Sequence, residues 1–562
     1  MNWSLKGQTL TNLIVQNGSY VDKTEIIYKL IQNPNNYYFC RPPGFGLSLL
    51  ISALKELFLG HRKLFKGLWI DRQSYDWRPY PVIHLDLSGA KALTSPQELE
   101  ETLVEKISVA ANEAQISLKK TYSLRYFKLL IETLARASAY KKIVVLIDGV
   151  DTPINPHIAD PILARQMAEP IYKLLGLLKI YQRRVHFAFV GGQTKYFLTK
   201  SYLAKSFLAP HAFEDVSFNP DYANLLGYSQ EELTTYFGDN LTRALKRLKE
   251  LGYCPNESDL TDLTEILARL YGGYSWDQKT CLFNPLSISK FFKFQAFDQF
   301  WPESLDLNFL VGFIKDTPLV NDLIDAYEPP YPQLMVNNED FNKNNVDHNK
   351  LDIADLLLRY GYLTFNPKSK SRPTLTPPNL EVKASLFSKL FYLKIETSLW
   401  DVTELAGSIH KAISARNVTS LVDSFSRFMS VVAPQYNFVM DVYSQSLFLL
   451  AMFLVDQPVK IILPKDIGFK TASLTTPHGD QFLVSIDCLN KPPLLGSPYT
   501  INTALSKITR KNLNRLARRQ RKELNPEARS QAKELNPEAR IYSMALAIHS
   551  PIAVHAGFQV IK

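Results

Sequence analysis

Cysteine is scarce in this sequence, and a long apolar run is absent. The 562 residues include four cysteines, none of which forms a C-x-x-C pair: Cys40, Cys254, Cys281 and Cys488. A disulfide framework and a zinc site are therefore not expected, whereas a reducing cytoplasm is. The longest apolar run, Leu447 to Val455, has nine residues, too few to span a bilayer. The mixed, polar Met1–Thr11 segment lacks the pattern of a secretory signal. We therefore expect a cytoplasmic protein with no membrane contact.

Positive charge is concentrated in one segment. The net charge is +10, and residues 501–540 carry eleven Lys or Arg and four Glu, which leaves only +3 for the remaining chain. A helical spacing would place four of these cations on one face, which could contact nucleic-acid phosphates: Arg515, Arg518, Arg519 and Lys522. The preferred interpretation is a solvated helix on an exposed arm, because the adjoining KELNPEAR repeat (522–529 and 533–540) adds acids and no aromatic residues.

Short apolar runs alternate with helical patterns in the first 200 residues. Strands are predicted at 37–40, 82–85, 143–147 and 185–190. Capping boxes at 95–98 and 229–232 predict the starts of two helices. Strands separated by helices indicate βαβ units, so we expect an α/β fold with a mostly parallel sheet.

The turn after the first predicted strand partly fits a phosphate-binding loop. A P-loop reads G-x-x-x-x-G-K-S/T. Gly46 and Ser48 fit this pattern, and Gly44 gives the turn additional freedom. Arg41 stands in place of the first glycine, and Leu47 stands in place of the lysine. A strand–helix turn that binds no ligand remains the alternative.

A second motif follows the third predicted strand. The apolar run 143–147 ends at Asp148, as in a Walker B motif, whose carboxylate holds hydrated Mg²⁺ opposite the P-loop hydroxyl. Asp151 lies three residues further on. The acid that usually follows the Walker B aspartate is absent, because Gly149 occupies its position. A strand-end aspartate that caps the next turn is the alternative.

With these motifs the chain resembles the bacterial AAA-ATPase-like proteins that carry a C-terminal PD-(D/E)XK nuclease-type domain. The resemblance extends over about residues 10–305 and keeps the order of the family's boxes. The matching segments are Tyr20–Thr24, Arg41–Ser48, Tyr80–Asp86, Leu146–Pro153, Tyr271–Tyr274 and Asn284–Ser287.

The resemblance implies a four-part organisation. The parts are a P-loop NTPase-like domain (1–220), a helical lid (221–327), a linker with a helical connector (328–384) and a divergent α/β nuclease-like domain (385–562) that includes the basic arm. The nucleotide would contact Arg41, Gly44, Gly46, Leu47 and Ser48, with Asp148 and Asp151 as the Walker B-like pair.

The departures from the family predict a degenerate nucleotide site. Where the family has a P-loop lysine, this chain has Leu47, and a charge-assisted contact of about 1.5–3 kcal/mol is lost. Where the family has the Walker B glutamate, Gly149 removes a general base, typically worth about 10²–10⁴ in rate. We therefore expect ATP and Mg²⁺ to be weakly bound or lost, and we assign no catalytic residue and no metal ligand.

The C-terminal region departs further from the family. Asp441 is a candidate for the first nuclease acid, but Phe482 fills the position of the second, and Asp487-Cys488-Leu489 does not supply the Glu-x-Lys that should follow. A nuclease needs these carboxylates to hold Mg²⁺ and activate water. The resemblance therefore implies an inactive nuclease fold.

Three functions follow from this reading. The leading one is a degenerate AAA-ATPase-like protein that acts as a binding or scaffold protein for a protein partner, with no efficient hydrolysis. One alternative is a slow ATPase or nuclease acting on nucleic acid. The other is nucleic-acid binding through residues 501–540.

Overall fold

The chain forms two compact units in the computed structural model. One comprises Met1–Glu250, Asn256–Asp322 and Pro332–Leu386, and the other Leu251–Pro255, Leu323–Tyr331 and Phe387–Lys562. Within these ranges, the structure describes residues 9–16, 18–157, 160–194, 213–250, 258–298, 300–301, 334–335, 353–367, 374–382, 385, 399–415, 417–432, 460–462, 471–475, 481–488, 541–550 and 553–560.

A five-stranded parallel sheet is the centre of the first unit. Its strands are β1 (Asn36–Cys40), β2 (Val82–Asp86), β3 (Ile143–Asp148), β4 (Val185–Gly192) and β5 (Glu214–Asp215). The order is β2-β3-β4-β1-β5, and each neighbouring pair is parallel. Every residue of β3 is buried, as expected for a β-branched run covered on both faces. The predicted α/β fold with a mostly parallel sheet is confirmed, and all four predicted strands form.

Six α-helices accompany this sheet within the described residues up to 194. They are α1 (Leu10–Val15), α2 (Thr24–Gln32), α3 (Leu47–Phe58), α4 (Pro96–Glu113), α5 (Ser123–Ala137) and α6 (Pro161–Ile180). The apolar stripe of α3 is buried, including Leu50, Leu54 and Leu57. The Ser95 side chain caps α4, and Pro96 occupies its first turn, as the sequence predicts.

A mainly helical segment follows the sheet. It contains α7 (Gln230–Glu250), α8 (Leu260–Tyr271) and α9 (Pro285–Phe294), which contact one another. The predicted capping box before α7 forms, since Ser229 and Glu232 each accept the other's backbone amide. Beyond this segment lie α10 (Ile353–Arg359) and a small antiparallel sheet of β6 (Leu334–Met335), β8 (Thr374–Thr376) and β7 (Thr364–Phe365), in that order.

The described residues of the second unit form two helices and a mixed sheet. The helices are α11 (Leu399–Ser414) and α12 (Val418–Val432), and the strands are β9 (Lys460–Ile462), β10 (Thr471–Thr475), β11 (Gln481–Cys488), β12 (Ile541–Ser550) and β13 (Ala553–Val560). The order is β13-β12-β11-β10-β9, with β11 and β12 parallel and the other pairs antiparallel.

The nuclease-like character of this second unit stays a prediction. Phe482 lies on β11, where it pairs with Leu474 and with Tyr542. Asp441 and the basic arm, with Arg515, Arg518, Arg519 and Lys522, lie outside the described residues. The proposed boundaries of the four segments likewise stay predictions. Among the helices that the structure describes, none has the length and apolarity needed to cross a bilayer.

Candidate functional site

The carboxyl ends of the parallel strands bring both sequence motifs to one edge of the sheet. The Arg41–Ser48 turn leaves β1, and Asp148 ends β3, with β4 between these two strands. Ligands of open α/β sheets bind outside the carboxyl ends of the strands. The edge that carries Ser48 and Asp148 is therefore the candidate site.

The turn before α3 leaves open space at Gly46. Its φ of +92° lies in the left-handed region, and a Cβ there would meet no atom within 4 Å. Gly46 is the N-cap residue of α3 and supplies no side-chain cap to the first amides of the helix. Uncapped amides at a helix start bind anions. The local geometry therefore fits a phosphate group at Gly46–Ser48.

Ser48 and Asp148 lie side by side. The exposed Ser48 side chain lies close enough to Asp148 to lower the pKa of its carboxyl, which is itself only 4% exposed. The pKa of Asp148 is raised to about 6, by burial first and also by the charges of Asp86 and Asp151, against the lowering effect of Ser48. Hydroxyl and carboxylate oxygens are the donors that Mg²⁺ prefers. These two residues therefore fit the metal that the motif implies.

A third oxygen donor, Asp86, was missed from the sequence. Asp86 ends β2 and is the register partner of Asp148. Its exposed carboxylate accepts hydrogen bonds from the Ser88 amide (2.9 Å) and hydroxyl (2.6 Å). The available signal was an acid at the end of a strand next to the Walker B strand. In the described parts of the chain, no group of three or more His, Cys, Asp or Glu residues could hold a metal.

Leu47 packs on the end of β4. Its two Cδ atoms lie 3.0 and 3.1 Å from the position that a Cβ on Gly191 would take. The first turn of α3 thus presents an aliphatic side chain where a P-loop would present an ammonium group. Such a side chain supplies no hydrogen bond to a phosphate.

Gly149 leaves no room for a side chain. Its φ is +66°, and a Cβ would lie 2.7 Å from the Thr152 hydroxyl oxygen and 2.8 Å from both the Cα and the nitrogen of Ser88. Two of these neighbours are backbone atoms, which no rotamer change can move. The position of the family's Walker B glutamate is therefore sterically closed.

The Arg41 side chain is buried, with 2% of it exposed. Its guanidinium donates to four carbonyl oxygens, those of Cys40 (2.8 Å), Ser217 (2.6 Å), Tyr222 (3.4 Å) and Ala223 (3.4 Å). It also lies 4.3 Å from the Phe39 ring centre and 4.7 Å from that of Trp276. Burial lowers the pKa of Arg41 to about 9, which leaves it charged at neutral pH. Arg41 therefore holds the base of the turn, and its predicted nucleotide contact stays a prediction.

Asp151 joins the ends of β3 and β4. Its buried carboxylate accepts the backbone amides of Gln193 (3.1 Å) and Thr194 (2.6 Å) and the side-chain amide of Asn155 (3.0 Å). Burial raises the pKa of Asp151, and these hydrogen bonds oppose the rise. Asp151 thus connects the ends of the two strands, and its predicted Walker B-like role stays a prediction.

The segments Tyr271–Tyr274 and Asn284–Ser287, which match the family, contact the turn and hold it in place. The Asn284 side-chain amide donates to the Pro43 carbonyl (3.2 Å), and the Leu286 amide donates to that of Gly44 (3.2 Å). A Cβ on Gly44 would lie 2.9 Å from the Asn284 side-chain oxygen, so this close approach requires glycine. Phe45 packs edge-on against Tyr274, with ring centres 4.9 Å apart.

The first matching segment, Tyr20–Thr24, connects the region before the sheet to the helical segment. Lys23 is buried, and its ammonium group bonds the Glu232 carboxylate (2.6 Å) and the Asn224 side-chain oxygen (2.8 Å). Asp22 accepts the Thr24 hydroxyl (2.6 Å) and the Trp69 amide (2.6 Å). These contacts are structural and lie within the first unit.

Residues 7–201 match the family model of the predicted AAA-ATPases. The predicted resemblance is confirmed over this segment, which contains the turn, Ser48, Asp86 and Asp148. The chain is also similar to an uncharacterized protein in the vnfD 5′ region of Azotobacter chroococcum mcd 1, at 27% identity over 420 residues, which are 74% of each chain. No solved structure matches the chain. The match to the family model therefore covers β1 to β4 of the parallel sheet.

Proposed function

We propose that the AAA-ATPase-like segment binds a nucleoside phosphate weakly and does not hydrolyse it efficiently. The protein would then act as a binding or scaffold protein rather than as a motor. The observation that carries this proposal is the closed space at Gly149, where Ser88 backbone atoms exclude the general base of the family. Leu47 also supports the proposal, because it stands where the family has a lysine that would contact phosphate.

The residues divide the binding task as follows. The amides at Gly46–Ser48 receive the phosphate oxygens, since the helix start is uncapped and open on that side. Ser48 and Asp148 hold Mg²⁺, and Asp86 supplies a further oxygen close to it. Mg²⁺ would neutralise phosphate charge that no lysine neutralises here. Asn284 and Phe45 keep the turn in place through the contacts described above.

Calorimetric titration of the full chain with ATP and Mg²⁺ tests the proposal. Wild type should bind weakly, and Leu47→Lys should tighten binding about 10- to 100-fold by restoring a charge-assisted contact. Leu47→Met is the matched control, because methionine, like lysine, is long and unbranched but carries no charge, and this variant should bind like wild type. Binding absent from both wild type and Leu47→Lys would contradict the nucleotide site.

Phosphate release by the same proteins tests the second half of the proposal. We expect wild type and Leu47→Lys to release phosphate no faster than buffer. Hydrolysis above that rate in wild type, lost in Asp148→Ala, would contradict the proposal and support the slow-ATPase alternative.

A further inference from the structure

The opposite edge of the parallel sheet carries cations and aromatic rings. The strands β2, β3 and β4 are adjacent and parallel, so their first residues lie side by side. The Val144 amide donates to the Pro81 carbonyl (2.9 Å), and the Ile143 amide donates to that of Arg184 (2.8 Å). We call the side chains just before these strands the amino-edge patch: Arg78, Tyr80, Tyr140, Lys141, Lys142, Arg183 and Arg184.

Ring contacts connect the starts of the three strands. Tyr80 stacks on His186 with ring centres 4.3 Å apart and an angle of 9°, and it lies 5.4 Å from Tyr140. The Arg78 guanidinium is 5.6 Å from the Tyr140 ring centre. Tyr140 keeps 43% of its surface exposed, although its neighbours contact part of the ring. These contacts therefore join the starts of the three strands, and the Tyr140 ring is accessible.

The charges of the patch are mostly uncompensated. Arg78 pairs with Asp76 at 2.7 Å, and nearby Glu132 pairs with Arg136 at 3.5 Å. Lys141 donates to the Arg136 carbonyl. In the part of the chain that the structure describes, Lys142 and Arg183, both exposed, have no ion-pair partner. Burial lowers the pKa of His186, the Lys142 charge lowers it further, and the Asp76 charge opposes both effects.

We propose that the amino-edge patch binds single-stranded nucleic acid, with phosphates on Lys141, Lys142 and Arg183 and a base against the exposed part of Tyr140. A cationic surface attracts the phosphodiester backbone, and an exposed aromatic ring stacks on bases of any sequence. Stacking needs unpaired bases, which favours single strands over duplexes. The patch lies at the edge of the sheet opposite Ser48 and Asp148, so this inference is independent of the nucleotide site.

Fluorescence anisotropy with a labelled 20-nucleotide oligo-dT tests the proposal on the full chain. Tyr140→Ala should weaken binding about tenfold or more, whereas Tyr140→Phe, which keeps the ring, should bind like wild type. Lys141→Glu combined with Lys142→Glu and Arg183→Glu should weaken binding and reduce the slope of log affinity against log salt by about 2, at about 0.7 for each lost phosphate contact.

A control variant separates the patch from general charge effects. Lys29, Lys128 and Lys173 are exposed on α2, α5 and α6, so reversing all three to Glu makes the same change in net charge elsewhere. This control should bind like wild type. Circular dichroism on each variant verifies that the fold is intact.

Four outcomes would overturn the proposal. The first is no binding by wild type. The second is equal loss in the patch and control variants. The third is a loss of oligo-dT binding that occurs only when Arg515, Arg518 and Arg519 are changed to Glu. That result would place binding on the basic arm. The fourth is competition by polyglutamate that is as strong as competition by oligo-dT and unaffected by Tyr140→Ala, which would indicate an acidic protein partner.

Discussion

The backbone nitrogen of Ser88 lies 2.8 Å from the position that a Cβ on Gly149 would take. This approach is set by the main chain, because the Leu87 amide donates to the Asp148 carbonyl at 2.8 Å and draws the chain after β2 across the end of β3. Main-chain atoms therefore exclude a side chain at position 149.

Restoring the glutamate should therefore fail. We expect Gly149→Glu to show no phosphate release above buffer, even combined with Leu47→Lys, and to destabilise the first unit by about 2 kcal/mol or more through the clash and the positive φ. Urea denaturation and a phosphate-release assay measure both effects. Gly149→Ala should also be destabilised, since its Cβ meets the same atoms. A stable Gly149→Glu variant with new hydrolysis would disprove the closed site.

Substitutions at Asp148 and Asp151 should have different effects, because Asp148 would bind the metal and Asp151 stabilises the fold. Asp151→Ala leaves the buried amides of Gln193 and Thr194 without their acceptor, so we expect a loss of about 1–3 kcal/mol in stability. Asp148→Ala removes a buried charge of raised pKa, so stability at pH 7 should hold or rise, while the effect of Mg²⁺ on ATP binding disappears. Denaturation and calorimetry of both variants measure the two effects. The reverse pattern would contradict these assignments.

The Mg²⁺-dependent part of ATP binding should follow the protonation of Asp148. Burial raises the pKa of its carboxyl to about 6. The carboxylate is present above that pH and becomes neutral below it, so the Mg²⁺ effect should fall as pH falls from 7 to 5. Calorimetry over this range should show the loss in wild type and no such change in Asp148→Asn. A Mg²⁺ effect that is constant from pH 7 to 5 would contradict the role of Asp148.

Arg41 should not tolerate lysine. A single ammonium group cannot reach the carbonyls of Cys40, Ser217, Tyr222 and Ala223 as the guanidinium fork does. We expect Arg41→Lys to lower the free energy of unfolding by about 2–3 kcal/mol. Lys29→Arg, an exposed exchange on α2, serves as a control and should change little. Equal stability of Arg41→Lys and wild type would show that the fork is dispensable.

Glu381 should make stability depend on pH. This buried carboxyl accepts the Ser287 hydroxyl (3.0 Å) and the Phe300 amide, and burial raises its pKa to about 7. The unfolded chain loses this proton near 4.5 and the folded chain near 7, so stability falls as pH rises between these values and then levels off. Glu381→Gln lacks this effect, so its free energy of unfolding should exceed that of wild type by on the order of 2 kcal/mol at pH 7.5. Thermal melts at matched pH values compare the two, and a difference that is constant with pH would contradict the assignment.

Much of the first unit was predictable because its signals are local. The β-branched run before Asp148, the Ser95 side-chain cap and the capping box at Ser229 depend on neighbouring residues only, and they formed as expected. At the Ser95 cap the Glu98 carboxylate accepts the Thr94 amide. The pairing of Asp86 with Asp148 was missed, because strand order decides which strand ends meet. The amino-edge patch was missed for the same reason, since Tyr80, Tyr140 and His186 are separate in sequence.

The sequence by itself determined the chemical identities at the candidate site: an aliphatic Leu47, a glycine at 149, and the side-chain oxygens of Ser48 and Asp148. Only the tertiary structure decided that position 149 is closed to a side chain and that the Arg41 charge is committed to carbonyl oxygens. The physical reason is that identity resides in single residues, whereas space and hydrogen-bond partners depend on distant segments that folding brings within a few ångströms.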